Sequence, residues 1–242
     1  QNYEAADIIR VQSPANLLYF KNNGLDKMYH LEVVYNWFSL SEDYTAPKTS
    51  YRVQLGLQDK IVFFYGGNIG VAQDVDNIVR LADNLQSEPA AYFLLVGGGS
   101  EVNRLKKTIK SKGLKNITIH DPVNYQTYQS MLSEFDVGLI SLDHRLRSQN
   151  FPGKMMDYMY HSKPILGSIN PGNDLKEMLE DQKAGLVCIN GEDEIFAQHA
   201  RRLVGGGDLC RQLGMNGRKL LESTFSVSKA AKQILSHFDH MA

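Results

Sequence analysis

The feature that most constrains the fold of this chain is a regular alternation of short apolar runs with longer amphipathic segments. The apolar runs are rich in Val, Ile, Leu or Phe, and they span residues 31–35, 61–65, 92–96, 117–120, 137–141, 164–168 and 185–189. Continuous apolar runs of this length are typical of strands that are covered on both faces. The alternation therefore predicts a parallel sheet between two layers of helices.

Helical periodicity fills the stretches between these runs. Helices are predicted over residues 74–86, 101–112, 127–135, 154–161 and 174–179. After Gly191 the strand signal stops, and three further helices are predicted over residues 192–204, 209–224 and 226–240, with Asp208 and Ser226 as N-caps of the last two. The predicted fold class is α/β, a doubly wound Rossmann-like parallel sheet with C-terminal helices.

The first 50 residues differ from the rest of the chain. Within a first segment of residues 1–38, residues 7–38 predict a strand, a helix and a second strand, and the polar stretch 39–50 predicts an interdomain linker. Residues 51–225 are predicted to form the main domain, and residues 226–242 a separate C-terminal helix. Because the chain begins at Gln1, without Met and close to a structured-looking stretch, we expect it to be a piece of a longer protein.

Charge and cysteine content exclude several classes of protein. The formal net charge is −1, so the bulk charge does not indicate a nucleic-acid partner. Cys188 and Cys210 are far apart, which excludes a disulfide scaffold and a cysteine zinc site and suits a reducing compartment. The sequence has no apolar run of about 18 residues and no recognisable signal peptide, so no membrane span is predicted.

Glycine-rich loops follow two of the predicted strands. Gly67, Asn68 and Gly70 come directly after one strand, and Gly98 is the centre of three glycines after the next. Ligands of parallel sheets bind at the carboxyl ends of the strands, and glycines let the backbone approach a phosphate. The alternative is structural, namely a tight turn at the first loop and a turn capped by Ser100 at the second. The spacing is not the full dinucleotide-binding fingerprint.

A third loop carries an aromatic residue. Pro122 and Val123 follow the predicted strand that ends at His120, and Tyr125 comes two residues later. Such a loop can present backbone amides to a nucleobase and an aromatic ring to stack on it. This signal is weak by itself, and a lone histidine such as His120 is more often structural than catalytic.

A basic loop leads into the most informative helix of the sequence. Arg145 and Arg147 precede Gly153 and Lys154, which lie at a predicted helix start, and Asp157 follows one turn later. Backbone amides and an ammonium group at a helix start suit a diphosphate, and the carboxylate of Asp157 suits a ribose diol. The arginines suit a phosphate or an acidic acceptor. The structural alternative is a solvated basic loop.

Three segments together resemble a known family. Residues 68–70 (Asn-Ile-Gly), 151–159 (Phe-Pro-Gly-Lys-Met-Met-Asp-Tyr-Met) and 161–165 (His-Ser-Lys-Pro-Ile) resemble the C-terminal half of family 4 glycosyltransferases. Residues 66–73 are similar to the bacterial branch that builds capsule, O-antigen or exopolysaccharide, including N-acetylfucosaminyl transferases. The resemblance covers nearly the whole chain. It implies a retaining enzyme of the GT-B fold, with residues 1–38 as the end of a truncated acceptor domain.

The resemblance also implies roles for individual residues, with departures from the family pattern. The first Glu of the family's E-x7-E motif, near the donor sugar, falls on Gln149, and the second, which binds the donor ribose, falls on Asp157. The family often has an Arg and a Lys where this chain has Asn68 and Gln73. Neutralising the diphosphate would therefore pass to Lys154 first, or to the two arginines of the basic loop. Lys154 and Gln149 are the catalytic candidates.

The implied reaction uses a nucleotide-sugar donor, most simply a UDP-sugar, and neither a metal nor another cofactor. The implied acceptor is a lipid-linked or growing glycan that the rest of the protein binds, and this chain alone is expected to be inactive. The implied location is cytoplasmic, or peripheral on the inner face of the cytoplasmic membrane. No nucleic-acid partner is expected. Three alternatives stay open: a sugar-nucleotide epimerase of the same architecture, a non-catalytic nucleotide-sugar-binding module and, more weakly, a nicotinamide-dependent oxidoreductase.

Overall fold

The structure, a computed structural model, describes residues 3–40, 50–149 and 151–238. Most of the predicted linker, residues 41–49, therefore lies outside the described residues. The strands are β1 (Ile9–Val11), β2 (Leu31–Val33), β3 (Ile61–Gly66), β4 (Ala91–Val96), β5 (Ile117–His120), β6 (Val137–Ser141), β7 (Ile165–Ile169) and β8 (Gly185–Ile189). The α-helices are α1 (Pro14–Asn22), α2 (Tyr51–Gln54), α3 (Asp76–Asn84), α4 (Val102–Ser111), α5 (Tyr125–Glu134), α6 (Lys154–Tyr160), α7 (Leu175–Asp181), α8 (Asp193–Val204), α9 (Gly207–Thr224) and α10 (Val227–Leu235).

Six of the strands form one parallel sheet in the order β5-β4-β3-β6-β7-β8. Counted from β3, this is the 3-2-1-4-5-6 order of a doubly wound fold, and the chain reverses its direction of travel across the sheet between β3 and β6. The predicted fold class is confirmed. Because ligands of such sheets bind where the order reverses, we expect a site near the crevice between β3 and β6.

Both faces of the sheet are covered, as the continuous apolar runs predict. Along β3, Phe63 and Tyr65 pack into one core with α3, α4 and α8, and Val62 and Phe64 pack into the other with α5 and α6. All four side chains are fully buried. Successive residues of a strand point to opposite faces, so a strand between two helix layers must be apolar at every position.

Several predicted element ends are wrong by a few residues for local reasons. The helix predicted from residue 74 begins at Asp76, because Asp74 has a positive φ of 38° and follows a short 3-10 turn. The helix predicted from residue 127 begins at Tyr125, because the Asn124 side chain accepts a hydrogen bond from the Thr127 N–H at 2.8 Å. Asp208 is not an N-cap and lies inside the first turn of α9.

The first segment forms a small parallel sheet of its own, in which β1 pairs with β2. Helix α10 returns to this segment at the end of the chain. The Gln233 amide donates to the Val33 carbonyl at 2.8 Å, and His237 lies 2.9 Å from the Glu32 carboxylate. Ser226 occupies the N-cap position of α10, although its hydroxyl does not cap the helix. The domain boundaries at residues 38, 50 and 225 stay predictions.

Tyr158 of α6 inserts its side chain between the two strands at the point of reversal. Its hydroxyl donates to the Leu139 carbonyl of β6 at 3.1 Å and accepts from the Gly66 N–H of β3 at 3.4 Å. Gly138 makes room for the ring, because a Cβ atom at this position would overlap Tyr158. Tyr158 is fully buried, so its bridge fixes α6 at the mouth of the crevice.

The two glycine-rich loops lie against one another at the ends of β3 and β4. The Gly67 N–H donates to the Val96 carbonyl at 2.9 Å, and the Ile69 N–H donates to the Gly98 carbonyl at 2.8 Å. A Cβ atom on Gly97 would overlap the Gly67 carbonyl oxygen. The glycines therefore allow one backbone to approach the other closely.

Gly97→Ala should destabilise the fold by about 3 kcal/mol or more, because the added methyl group meets backbone that cannot yield. The measurement is urea unfolding at equilibrium. Gly207→Ala is the matched control, since its Cβ atom would lie in open space at the start of α9. Its free energy of unfolding should change by less than about 1 kcal/mol. Equal stabilities of the two variants would contradict this account of the loops.

Candidate functional site

An open cavity of about 620 Å³ lies at the carboxyl ends of β3, β4 and β5, beside α6. Seven of the predicted donor-binding residues line it, namely Gly67, Asn68, Gly98, Pro122, Val123, Lys154 and Asp157. The cavity wall also contains Tyr125, the aromatic residue predicted to stack on a nucleobase, and four residues that were not predicted as site residues, namely Gly66, Val96, Gly97 and Tyr128. The structure therefore brings three loops and one helix, far apart in sequence, to a single site.

Two of the predicted residues lie next to this cavity without lining it. The Gly70 N–H donates to the Gln73 side-chain oxygen at 3.2 Å, and the Asn68 amide donates to the same oxygen at 2.8 Å. The side chain of Gln73 thus links two residues of the first glycine loop, Asn68 and Gly70. Gly153 is exposed and occupies the N-cap position of α6, one residue before Lys154.

The arginines of the basic loop do not line the cavity. Arg145 turns back on Asp143, and its Nε atom lies 3.0 Å from one carboxylate oxygen and 3.1 Å from the other. These hydrogen bonds lower the pKa of Asp143 below its ordinary value. Arg145 borders a second cavity of about 450 Å³, together with Asp74, Arg80, Asp143, His144, Asn190 and Gly191. Arg147 is exposed.

Gln149 lies outside the cavity as well, at a contact between the first segment and the main sheet. Its side-chain amide donates to the Gly172 carbonyl at 3.2 Å, and its own carbonyl accepts from the Asn16 amide of α1 at 3.2 Å. In this structure its side chain serves to tie loops together. A role for Gln149 at a donor sugar stays a prediction.

Lys154 is the principal cation of the cavity wall. Its Nζ atom lies 3.4 Å from the centroid of the Tyr65 ring, and its side chain passes close to Gly67. Within the described residues, no carboxylate lies within ion-pair distance of this ammonium group. Burial therefore lowers the pKa of Lys154 from the usual 10.5 to about 7.

The ring of Tyr65 packs against the ammonium group of Lys154. The ring is fully buried in the sheet and presents its face to the ammonium group, which is a cation–π contact. Its hydroxyl donates to the Asn68 carbonyl at 2.6 Å, so the same side chain also holds the first glycine loop. An ammonium group with an aromatic face on one side and an open cavity on the other is ready to bind an anion.

Asp157 faces the same cavity and is held by a buried relay. Its Oδ1 atom accepts from the Gln129 amide at 2.7 Å and from the Tyr125 hydroxyl at 3.0 Å. The Gln129 carbonyl oxygen lies 2.6 Å from His161 Nε2. Burial, together with Lys163 and Arg218, lowers the pKa of His161 to about 4, so the ring is neutral and its Nε2–H can donate.

The relay was not predicted from the sequence. Gln129 lies near the middle of α5 and His161 lies directly after α6, so no local spacing connects them. His161 belongs to a segment that carries the family resemblance, and this was its only signal. The roles of Tyr65 and Tyr158 were not predicted either, because sequence periodicity does not reveal which hydroxyl or ring face reaches a site.

The chemistry of the cavity suits a ligand with an anionic end and hydroxyl groups. Lys154 can bind an anion, Asp157 can accept hydrogen bonds from hydroxyls, and Pro122 and Val123 offer an apolar wall to a flat ring. Within the described part of the chain, no group of three or more His, Cys, Asp or Glu residues is placed to hold a metal ion. No helix in that part combines the length and the apolar character needed to cross a membrane.

The part of the chain that builds this site matches a known protein family. Residues 47–220 match the model of a family described as glycosyl transferases group 1. The chain belongs to this family. The match includes every strand of the six-stranded sheet and all the residues that line the cavity.

Curated relatives match over parts of their length. The chain is 28% identical over 148 residues to the putative colanic acid biosynthesis glycosyl transferase WcaI of Escherichia coli strain K12, covering 61% of this chain and 36% of WcaI. It is 21% identical over 208 residues to the N-acetyl-alpha-D-glucosaminyl L-malate synthase of Bacillus anthracis, covering 84% of this chain and 52% of the relative. The chain thus spans between a third and about half of these relatives.

Solved structures share the fold. The chain superposes on Anabaena HepE in complex with UDP with a TM-score of 0.78 at 19% identity, covering 98% of this chain and 65% of HepE. It superposes on a mutant of Staphylococcus aureus TarM, also in complex with UDP, with a TM-score of 0.77 at 19% identity, covering 98% of this chain and 45% of TarM. At these identities the likeness establishes a GT-B Rossmann-like domain.

The lowered pKa of Lys154 should make stability depend on pH. The unfolded chain binds the Lys154 proton more tightly than the folded chain, so wild-type stability should rise as pH increases from about 7 towards 10.5. Lys154→Met cannot titrate. The free energy of unfolding of this variant minus that of the wild type should be largest near pH 7 and should shrink towards pH 10.5. A difference that does not change over this range would show that burial does not perturb Lys154.

Proposed function

We propose that this chain is the donor-binding part of a glycosyltransferase and that its cavity binds a nucleotide-sugar, specifically a UDP-sugar. The observation that carries the proposal is the position of Lys154, a desolvated ammonium group that faces an open cavity and has no carboxylate partner within the described residues. A diphosphate supplies the missing negative charge. HepE, which shares the fold, is described in complexes with UDP and with UDP-glucose, and this supports the choice of nucleotide.

The proposal assigns each end of the donor to a part of the cavity. The diphosphate lies beside Lys154 and the first glycine loop, at Gly67 and Asn68. The ribose donates hydrogen bonds to Asp157. The uracil lies along the loops that carry Gly98, Pro122 and Val123, whose backbone groups can recognise a base edge. Helix α6 has only seven residues, so the ammonium group carries more of this assignment than the helix amides do.

The proposed reaction is transfer of the sugar with retention of anomeric configuration. The acceptor hydroxyl forms the new glycosidic bond as the bond between the anomeric carbon and the diphosphate breaks, and the leaving phosphate takes the hydroxyl proton. Negative charge grows on the diphosphate as it leaves, and Lys154 stabilises it. The proposal uses no protein nucleophile and no metal ion. Arg145 is paired with Asp143, so it lends the diphosphate no direct charge.

The acceptor and the setting belong to the proposal too. WcaI is named for colanic acid biosynthesis, which supports a surface polysaccharide or a lipid-linked glycan as the product. An N-acetylamino sugar such as N-acetylfucosamine is the proposed transferred unit. The reaction is placed in the cytoplasm or on the inner face of the cytoplasmic membrane. We propose that this chain alone binds donor without rapid transfer, since its matches extend over only part of its relatives.

The direct test is calorimetric titration of the chain with UDP, GDP and NAD. UDP should bind in preference to the other two nucleotides. Lys154→Ala and Asp157→Ala should each weaken UDP binding about 10- to 100-fold, because each removes a charged hydrogen-bonding group. Lys110→Ala is the matched control, since Lys110 is an exposed lysine of α4 outside the cavity, and it should leave UDP binding unchanged. Preference for NAD, or unchanged UDP binding in both cavity variants, would refute the proposal.

A further inference from the structure

Two of the hydrogen-bond donors to the carboxylate of Asp157 differ in burial. Gln129 is buried, and its amide is fixed because its oxygen is bound to His161 while its nitrogen donates to Asp157. Burial lowers the pKa of His161 to about 4, so this arrangement persists at neutral pH. The Gln129 amide is therefore held at both ends, by His161 and by Asp157.

The second donor, Tyr125, is placed differently. It is the first residue of α5, it is 52% exposed, and it lines the cavity. Its ring stacks loosely on Tyr128, with 6.1 Å between the centroids, and its hydroxyl donates to Asp157 Oδ1 at 3.0 Å. A half-exposed tyrosine at the start of a helix can change rotamer into solvent without disturbing the core.

The hydrogen bond from the Tyr125 hydroxyl to Asp157 is of the kind that a ligand hydroxyl would make. A phenolic O–H donating to a carboxylate is equivalent to a sugar O–H donating to it. We infer that Tyr125 competes with the ribose, in that its hydroxyl donates to Asp157 Oδ1 until a ribose hydroxyl displaces it. This inference rests on the proposed function, which places the ribose at Asp157.

The exchange has a consequence for affinity. A ribose hydroxyl that binds at Oδ1 must displace the tyrosine hydroxyl before it gains its own bond to this oxygen, so part of the gain is cancelled. A ligand without these hydroxyls leaves the Tyr125 bond in place. Removing the tyrosine hydroxyl should therefore strengthen only the binding of a ligand with ribose hydroxyls.

The test compares UDP with 2′,3′-dideoxy-UDP on the wild type and on Tyr125→Phe, which keeps the ring and its stacking. UDP should bind Tyr125→Phe about three- to tenfold more tightly, since the competing hydrogen bond to a charged group is gone. The affinity for 2′,3′-dideoxy-UDP should not change. Tyr19→Phe is the matched control, because Tyr19 is an exposed tyrosine of α1 outside the cavity, and it should change neither affinity.

Two results would overturn the inference. Weaker UDP binding by Tyr125→Phe would mean that the hydroxyl contacts the bound ligand, and unchanged UDP binding would mean that no exchange occurs. In either case the proposed function would stand if Asp157→Ala still weakened UDP binding. If Asp157→Ala left UDP binding unchanged, the ribose would not lie at Asp157, and the proposed placement would fail together with the inference.

Discussion

The candidate site depends on one buried side chain that does not touch the cavity. Tyr158 bridges β3 and β6 through a single hydroxyl, at the point where the strand order reverses. Burial raises the pKa of this hydroxyl, so it remains a donor to β6. Because α6 is fixed by this bridge, Lys154 one turn earlier and Asp157 next to it are presented to the mouth of the crevice. On β6, a glycine is required at position 138, because a Cβ atom there would overlap the Tyr158 ring.

The electrostatics of the cavity favour an anion at Lys154 and hydroxyl donors at Asp157. Desolvation opposes a charge on Lys154, and the face of Tyr65 offsets only part of that cost. An anion in the cavity would remove the rest, so the site gains more from binding a diphosphate than an exposed lysine would. At the other end, the relay from His161 through Gln129 orients a carboxylate for hydroxyl donors. The two ends together match the two polar parts of a nucleoside diphosphate.

Much of the fold followed from the sequence, and less of the site did. The apolar runs predicted every strand of the main sheet, because strands covered on both faces need apolar residues at every position. The glycine loops, Lys154 and Asp157 were found because they follow strand ends or carry the family resemblance. Arg145 does not line the cavity, because its side chain is bonded to Asp143 two residues away, and its donor-binding role stays a prediction. Gln129 was missed because its partners lie on another helix.

The central proposal is that the nucleotide binds in the Lys154–Asp157 cavity, and not in another polar cavity at this edge of the sheet. A crystal structure of the chain with UDP tests it most directly. We expect the diphosphate within hydrogen-bonding distance of Lys154 Nζ and a ribose hydroxyl on the carboxylate of Asp157. UDP in the second cavity, with its diphosphate on Arg80 and Arg145, would contradict it.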